Sequence, residues 1–259
     1  MHSVLDLPSL RKQKILLLLE RDGKVMASEL VDHFAVSQDT IRRDLGELAA
    51  AGLLQRVHGG ALPRPKDTGK DYFTRVGETS EVKRHLAQLA AQRAQDGQIV
   101  LFDSGTTTLR IAQSLPHSLH LTAVTHSPLI AVALAEHPHI KVILAGGQLN
   151  PATMSATGHE AIRLIQGIKA DLLFTGVCAL HPQIGISSQH YDEVAVKQVM
   201  LDSASQVVAV TLGDKLGAVE PFVVAPCTRI HTLITEQSMD GASVDSYRRM
   251  GIEVIQADA

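Results

Sequence analysis

Val36-Ser37-Gln38-Asp39-Thr40-Ile41-Arg42-Arg43-Asp44-Leu45 is the stretch around which the rest of the chain is organised. Ile41, Leu45 and Leu48 recur at helical spacing and predict one buried stripe. Gln38 and Arg42, four apart, share a second face, with Thr40 and Arg43 flanking it. Ser37 stands where an N-cap belongs, and Asp39 falls in the first turn, where the helix dipole favours an anion. Such a helix can lay amide, hydroxyl and guanidinium groups against base edges and phosphates in a major groove. The alternative is a surface helix with solvated arginines, Arg43 being paired to Asp39 or Glu47 at i±4. The flanking segments decide between them.

Upstream, Leu10 to Glu20 is a strong helix former that stops at Asp22-Gly23. A second short helix follows, with Ala27, Leu30, Val31 and Phe34 on one stripe. Ala35-Val36 leaves room only for a sharp corner before the opening stretch, which Ala51-Gly52 closes. Two apolar-faced helices, a tight turn and a third helix with a polar outer face form a helix-turn-helix pattern. Beyond it, Leu53-Leu54-Gln55-Arg56-Val57-His58-Gly59-Gly60-Ala61 reads as a small strand and a glycine turn, the makings of a wing. From there Arg56 and His58 can reach phosphate or a minor groove, unless they are ordinary exposed polar residues.

Composition sets the outer bounds. The chain has 259 residues, 45% of them hydrophobic, enough for a full core and more than one domain. No apolar run approaches the ~20 residues of a membrane span, and no secretory signal stands at the N-terminus. The two cysteines, Cys178 and Cys227, have no metal-ligand spacing, so a reducing cytoplasm is expected. The thirteen histidines, His137-Pro138-His139 included, show no metal-site spacing either. Net charge is −3, divided as +2 over residues 1–66 and −5 over residues 67–259. A mildly basic head on an acidic body suits a DNA reader joined to a part with another task.

The run from Arg11 to Pro63, with Val36-Ser37, Thr40-Ile41-Arg42-Arg43-Asp44-Leu45 and Arg56-Val57-His58-Gly59-Gly60-Ala61, resembles the N-terminal domain of DeoR-family bacterial transcriptional regulators. The resemblance implies a winged helix-turn-helix that binds double-stranded operator DNA, usually as a repressor. By it, Ser37, Gln38, Thr40, Arg42, Arg43, Arg56, His58 and Gly59 are the expected DNA-binding residues.

Leu62-Pro63-Arg64-Pro65-Lys66-Asp67-Thr68-Gly69-Lys70 is rich in proline, glycine and charge and marks a boundary. The division expected is 1–62 for the head, 63–75 for a linker and 76–259 for a sensing and oligomerising body. Glu78 to Gln95 then reads as a helix. Strand-like runs follow at Ile99–Phe102, Leu121–Thr125, Lys141–Ala145, Asp171–Val177, Gln206–Thr211, Thr232–Thr235 and Glu253–Gln256. Helical patterns lie between many of them, at Leu129–Glu136, His159–Ile165, Glu193–Ser203 and Ser243–Met250. That alternation predicts an α/β body with a largely parallel sheet covered on both faces.

In such a sheet, ligands sit beyond the C-terminal strand ends. After the first strand comes Asp103-Ser104-Gly105-Thr106-Thr107-Thr108, then an amphipathic helix. Small-residue backbone N–H groups at a helix start, with three threonine hydroxyls, make an anion cradle suited to phosphate. A threonine-rich cap without ligand is the plainer reading, and no Gly-x-x-x-x-Gly-Lys loop occurs. Thr125-His126-Ser127 and Gly146-Gly147 also follow strands. Glu193 and Lys197 are four apart on one helix face, either facing a ligand or forming a surface ion pair. Lys215, in Gly213-Asp214-Lys215-Leu216-Gly217, sits after a strand where a cation can meet a phosphate.

The resemblance continues here through Asp103–Thr108, Leu144-Ala145-Gly146-Gly147, Glu193–Lys197 and Lys215-Leu216-Gly217. They are similar to the family's C-terminal sensor domain, whose fold is similar to ribose-5-phosphate isomerase and which typically senses a phosphorylated sugar. It implies that Ser104–Thr108 hold a phosphate with Lys215 nearby, while Glu193 and Lys197 face the remainder of the effector. Asp103, His126, Gly147 and Cys178 complete the expected effector-binding set. The chain departs from the family in two places. Gly176-Val177-Cys178-Ala179 replaces Gly-Ala-Asp-Gly, removing an acid that can hold sugar hydroxyls, and His126 stands where asparagine is common.

A ligand-controlled repressor acting as a dimer or tetramer, with no cofactor and no catalysis, is the leading expectation. A sugar-phosphate isomerase with a DNA-binding head is the second. It needs a base and a companion acid, and Glu193 has lost its companion at Cys178. An architectural DNA-binding protein with a purely oligomerising body is the third, and the phosphate cradle speaks against it.

Overall fold

The computed structural model describes residues 8–64, 71–77, 81–237 and 242–257. The head consists of α1 (Pro8–Asp22), β1 (Val25–Met26), α2 (Ala27–Phe34), α3 (Gln38–Ala50), β2 (Gln55–Val57) and β3 (Gly60–Leu62). Its three helices are those expected from the apolar stripes. Ile15, Leu19, Leu30, Ile41, Leu45, Leu48 and Leu54 bury together as one core. Ala35, at φ 51, ends α2 with its N–H on the carbonyl of Val31, which makes the corner before α3. Strands β2 and β3 form the wing, and the unforeseen two-residue β1 pairs with β3 to make a three-stranded sheet. Inside the head, Arg11 of α1 ion-pairs with Asp44 of α3, both buried.

The body opens with two helices, α4 (Tyr72–Gly77) and α5 (Glu81–Ala91), and then β4 (Ile99–Phe102) and α6 (Thr106–Gln113). Next come β5 (Leu121–Thr125), α7 (Pro128–Ala135), β6 (Ile140–Leu144), β7 (Gln148–Asn150), β8 (Ser155–Thr157) and α8 (His159–Gln166). The remainder is β9 (Ala170–Gly176), β10 (Ala179–His181), β11 (Gly185–Ser188), α9 (Tyr191–Ser203), β12 (Ala204–Val210), β13 (Phe222–Ala225), β14 (Thr232–Glu236), α10 (Ala242–Arg249) and β15 (Glu253–Ala257). All seven expected strands are present, within a residue or two at their ends, in one seven-stranded sheet of order β15-β14-β12-β9-β4-β5-β6. Every pairing in it is parallel.

Side chains alternate across each strand, so one strand feeds two cores. Val100 and Phe102 pack with α5, α6 and α7, whereas Leu101 packs with α8, α9 and Tyr247 of α10. The result is a three-layer α/β/α body. Two smaller sheets, the β7–β8 hairpin and the antiparallel β10-β11-β13 set, were not expected. The helix expected over 78–95 spans 81–91, its first three expected residues lying outside those described. Helix α4, Tyr72–Gly77, straddles the expected boundary at 75/76, its first four residues falling in the span read as linker. Among the described residues no helix is long and apolar enough to cross a membrane.

Strand order reverses at β4. From it the chain proceeds outward through β5 and β6, while β9, β12, β14 and β15 fill the other side. A crevice therefore opens above the carboxyl ends of β4 and β9, where a sheet of this type places its ligand. The linker also touches the body. Val219 donates its N–H to the carbonyl of Pro63 at 3.2 Å, and Arg64 pairs with buried Glu220 at 2.7 Å. Residues 65–70 of the expected linker lie outside those described.

Candidate functional site

The first candidate surface is on the head. Ser37 caps α3, its hydroxyl accepting the N–H of Thr40 at 3.2 Å and lying 2.9 Å from the Thr40 hydroxyl. Both side chains are therefore engaged with the helix start, and a hydroxyl so used fixes the helix more than it reads a base. Gln38 and Arg42, one turn further along, are exposed. With Arg56, Val57, His58 and Gly59 of the wing they line one concavity of about 350 Å³. Helix and wing thus present amide, guanidinium and imidazole groups around a common hollow. Arg43 is exposed but does not line it. The expected alternative, Arg43 paired to Asp39 or Glu47, is not what is found. Glu47 bonds Lys12 of α1 at 2.7 Å, and that hydrogen bond is the main reason its carboxyl is held below the usual range.

The second is the crevice at the strand-order reversal, a narrow cavity of about 50 Å³ that opens to solvent. Ser104, Gly105, Thr106, Thr107 and Thr108 form one wall, Cys178 and Lys215 another, and Glu193 and Lys197 the floor. Helix α6 begins at Thr106, so the first-turn N–H groups that lack intrahelical acceptors sit at the cavity wall. The hydroxyl of Thr108 turns back toward the carbonyl of Ser104, at 3.5 Å. That leaves Thr106 and Thr107 as the hydroxyls of the cradle, two where the sequence suggested three. Lys215 stands on a short 3-10 turn, Gly213–Lys215, just after β12.

The floor is a buried polar network. Glu193 is 1% and Lys197 4% exposed, so the reading of these two as a surface ion pair is wrong. α9 covers this end of the sheet, and spacing alone did not say which of its faces is covered. Lys197 pairs instead with Asp103, Nζ to Oδ2 at 2.5 Å. Glu193 accepts from the hydroxyls of Ser104 at 3.2 Å, Ser155 at 3.0 Å and Ser188 at 3.4 Å. Asp103 further accepts the N–H groups of Ser104 and Gly176, each at 2.8 Å, and the hydroxyl of Thr175 at 3.2 Å. Burial by itself raises a carboxyl, but Lys197 and His126 beside it hold Asp103 well below the usual carboxylate range. Burial likewise lowers an ammonium, yet Asp103, followed by Glu193, keeps Lys197 above its ordinary value. At Gly176 a Cβ would lie 2.4 Å from the Ser104 carbonyl, so only glycine lets the β9 end approach the cradle loop this closely.

His126 and Gly147 are not at the cavity wall. His126 is fully buried behind the cradle loop, Nδ1 facing the Ala156 carbonyl at 2.9 Å and Nε2 facing Asp103 at 3.1 Å. Its place is support for Asp103. Gly147, at φ +149, lies against the carbonyl of Thr157, which a Cβ would meet at 2.4 Å. It shapes the β7–β8 hairpin, not the ligand wall. Asp103 acts from below through its hydrogen bonds. The Cys178 thiol is pushed up mainly by burial, so at neutral pH the wall here carries an uncharged group.

The cavity also takes Arg75, Thr153, Gly176, Val177 and Val210, which sequence reasoning missed. Gly176, Val177 and Val210 lie at strand ends, and the rule that ligands sit there was signal enough to find them. Thr153 lies between two three-residue strands with no recognisable period. Arg75 belongs to six-residue α4, too short for periodicity to mark.

Residues 11–64 match the family described as the DeoR-like helix-turn-helix domain, and residues 78–237 match the DeoR C terminal sensor domain. The HTH-type transcriptional regulator GlpR of Haloferax volcanii is 35% identical over 98% of this chain and 99% of its own length. The glycerol-3-phosphate regulon repressor of Escherichia coli K12 is 30% identical over 80% of this chain and 82% of its own. Among solved structures, ribose 5-phosphate isomerase A of Methanocaldococcus jannaschii aligns over 52% of this chain and 53% of that one, at 12% identity and a TM-score of 0.39.

Proposed function

Since the chain belongs to the DeoR family of helix-turn-helix transcriptional regulators, we propose that it represses carbohydrate-metabolism genes and is released from its operator by a phosphorylated sugar or related metabolite. The observation that carries this reading is the cavity. A helix start with two threonine hydroxyls and a lysine face one hollow at the reversal point of a parallel sheet, in a chain that also carries a DNA-binding head. A relative of similar length is named for the glycerol-3-phosphate regulon, which supports a phosphate-bearing effector.

In this mechanism Gln38 and Arg42 reach base edges in the major groove, while Arg43, Arg56 and His58 meet phosphates or the adjoining minor groove. Ser37 and Thr40 fix the start of the recognition helix, and Gly59 turns the wing. In the body, the Ser104–Thr108 loop and Lys215 hold the phosphate. Cys178, Glu193 and Lys197 bound the rest of the effector, and Asp103 with His126 keeps the loop in shape. The working division is 1–62, 63–75 and 76–259, with two heads brought together in a dimer or tetramer on a pseudo-palindromic site. The effector acts by binding one arrangement of the heads better than the other.

The body is not an isomerase in this reading. Three serine hydroxyls occupy the Glu193 carboxylate, and the neutral thiol of Cys178 offers no companion acid. The deciding experiment is a thermal-shift screen against phosphorylated sugars, sugar acids and unphosphorylated counterparts, followed by operator binding with each hit. A ligand at ~100 Kd is expected to add roughly 2.7 kcal/mol to the stability of the body. Stabilisation by phosphorylated compounds that Thr106→Ala or Lys215→Ala abolishes upholds the assignment. Binding confined to unphosphorylated compounds, or turnover of a sugar phosphate, overturns it.

A further inference from the structure

Arg75 is a cation of this cavity that no motif or periodicity marks. It reaches the wall from α4, the six-residue helix between the head's linker and the sheet. One terminal nitrogen donates to the carbonyl of Ala152 at 3.2 Å, and the guanidinium lies 5.6 Å from the ring centroid of fully buried Tyr72. Those two contacts fix where the group points. Its Nε is buried and has no hydrogen-bond partner among the described residues. Nor does any carboxylate among them pair with Arg75, unlike Lys197, which is bound to Asp103. Arg75 lines the cavity as a cation with no carboxylate partner among the described residues, so an anion entering there meets an uncompensated charge. A planar fork facing a helix start across a small hollow suits an oxyanion with several acceptor oxygens.

We propose that Arg75 is a direct ligand of the effector's anionic group, delivered by α4, so that effector binding fixes the chain segment leading to the DNA-binding head. This rests on the phosphate reading of the cavity given above. The anion then has two holders of different kinds. The Ser104–Thr108 loop belongs to the sheet end, whereas Arg75 belongs to a short helix anchored by buried Tyr72 and by the Val76 carbonyl, which accepts from Arg110 of α6 at 3.3 Å. Closing α4 onto a ligand shifts the segment only as far as the ligand's differential affinity allows.

The test compares wild type with Arg75→Met and Arg75→Lys, using glycerol 3-phosphate, glucose 6-phosphate and inorganic phosphate as calorimetric probes. Hydrogen exchange over residues 72–77 is read in the same samples. Wild type is expected to bind at least one phosphorylated probe and to show slower exchange over α4 when it does. Arg75→Met should bind that probe roughly tenfold to a hundredfold more weakly, as for losing hydrogen bonds to a charged group. Arg75→Lys, which keeps the charge but not the fork, should fall between. Unliganded operator affinity should match wild type in both variants, while probe-induced operator release is lost in Arg75→Met. Equal probe affinity in wild type and both variants overturns the Arg75 assignment and leaves the phosphate cavity standing. Failure of wild type to bind any phosphorylated probe overturns both. Should Arg75→Met not fold, Arg75→Lys decides, since wild-type affinity and wild-type α4 protection in that variant would sink the idea.

Discussion

Arg11 reaches Asp44 through two nitrogens, at 2.5 and 3.2 Å, and joins α1 to α3 inside the head. Lys197 reaches Asp103 through one, at 2.5 Å, beneath the cavity of the body. Both pairs are almost wholly removed from solvent. In the head the guanidinium fork meets the carboxylate with two nitrogens, and the pair borders neither candidate surface. In the body the ammonium is one of several groups on Asp103, whose other partners are the N–H groups of Ser104 and Gly176, the Thr175 hydroxyl and the His126 ring beneath the cavity. The first pair is a fastener between helices. The second shapes a binding site, and burial alone does not tell them apart.

Breaking the head pair should have the largest effect. Asp44→Ala breaks the buried ion pair that joins α1 to α3 and is expected to cost ~3–5 kcal/mol. Operator binding should vanish as the head melts, while calorimetric binding of a phosphorylated probe to the body persists; loss of both together would show that the two parts do not melt separately. Lys197→Met should cost less, roughly 2–3 kcal/mol, because three other donors remain on Asp103. Here probe binding should fail while operator binding survives at temperatures below the melt.

The pH dependence sharpens the contrast. Asp103 has a depressed folded pKa, so its contribution is present above its unfolded value of ~3.9 and is lost as pH falls toward the folded one. Asp103→Asn should therefore flatten the fall of the body's melting temperature below ~pH 4. Lys197 has the opposite sign. Its folded value is raised, so its contribution holds below ~10.4 and is lost only as pH rises through the folded value.

Smaller effects belong to the head surface. Arg42→Ala should weaken operator binding by ~1–3 kcal/mol and relax the preference at one base pair, with probe binding unchanged. Uniform weakening across all operator variants would move Arg42 from base to backbone contact. Arg56→Ala should lower affinity evenly and reduce the slope of log K against log salt by about 1. An unchanged slope would take Arg56 off the phosphates.

The seven main strands could be read from the sequence because strands buried on both faces form apolar runs, as in Ile99-Val-Leu-Phe102. The head could be read because Ile41, Leu45 and Leu48 fall on one stripe and Ser37 sits at its cap. What escaped was short or dependent on distant neighbours. β7, β8 and β10 have three residues each, too few for alternation to register. Asp44 looks like one more charge on a polar helix until Arg11, 33 positions earlier, is brought against it. In the body, the cradle loop, Lys215 and the Glu193–Lys197 pair were found from strand ends and spacing. Their burial was not, because it depends on α9 lying across the sheet. His126 and Gly147 follow strands as ligand-facing residues do, yet His126 is buried against Ala156 of β8 and Gly147 is exposed beside Thr157 at the hairpin's base.

The docking of Pro63 and Arg64 on Val219 and Glu220 bears on how the head searches for DNA. A loose tether lets a head sample many orientations, and binding must then remove that freedom, a cost that falls on operator affinity. Here the tether is fastened within two residues of the wing, on the loop that follows Lys215. Much of the orientational entropy is then lost when the chain folds, before DNA is met. Unfastening that short contact would weaken DNA binding without altering any residue that touches DNA.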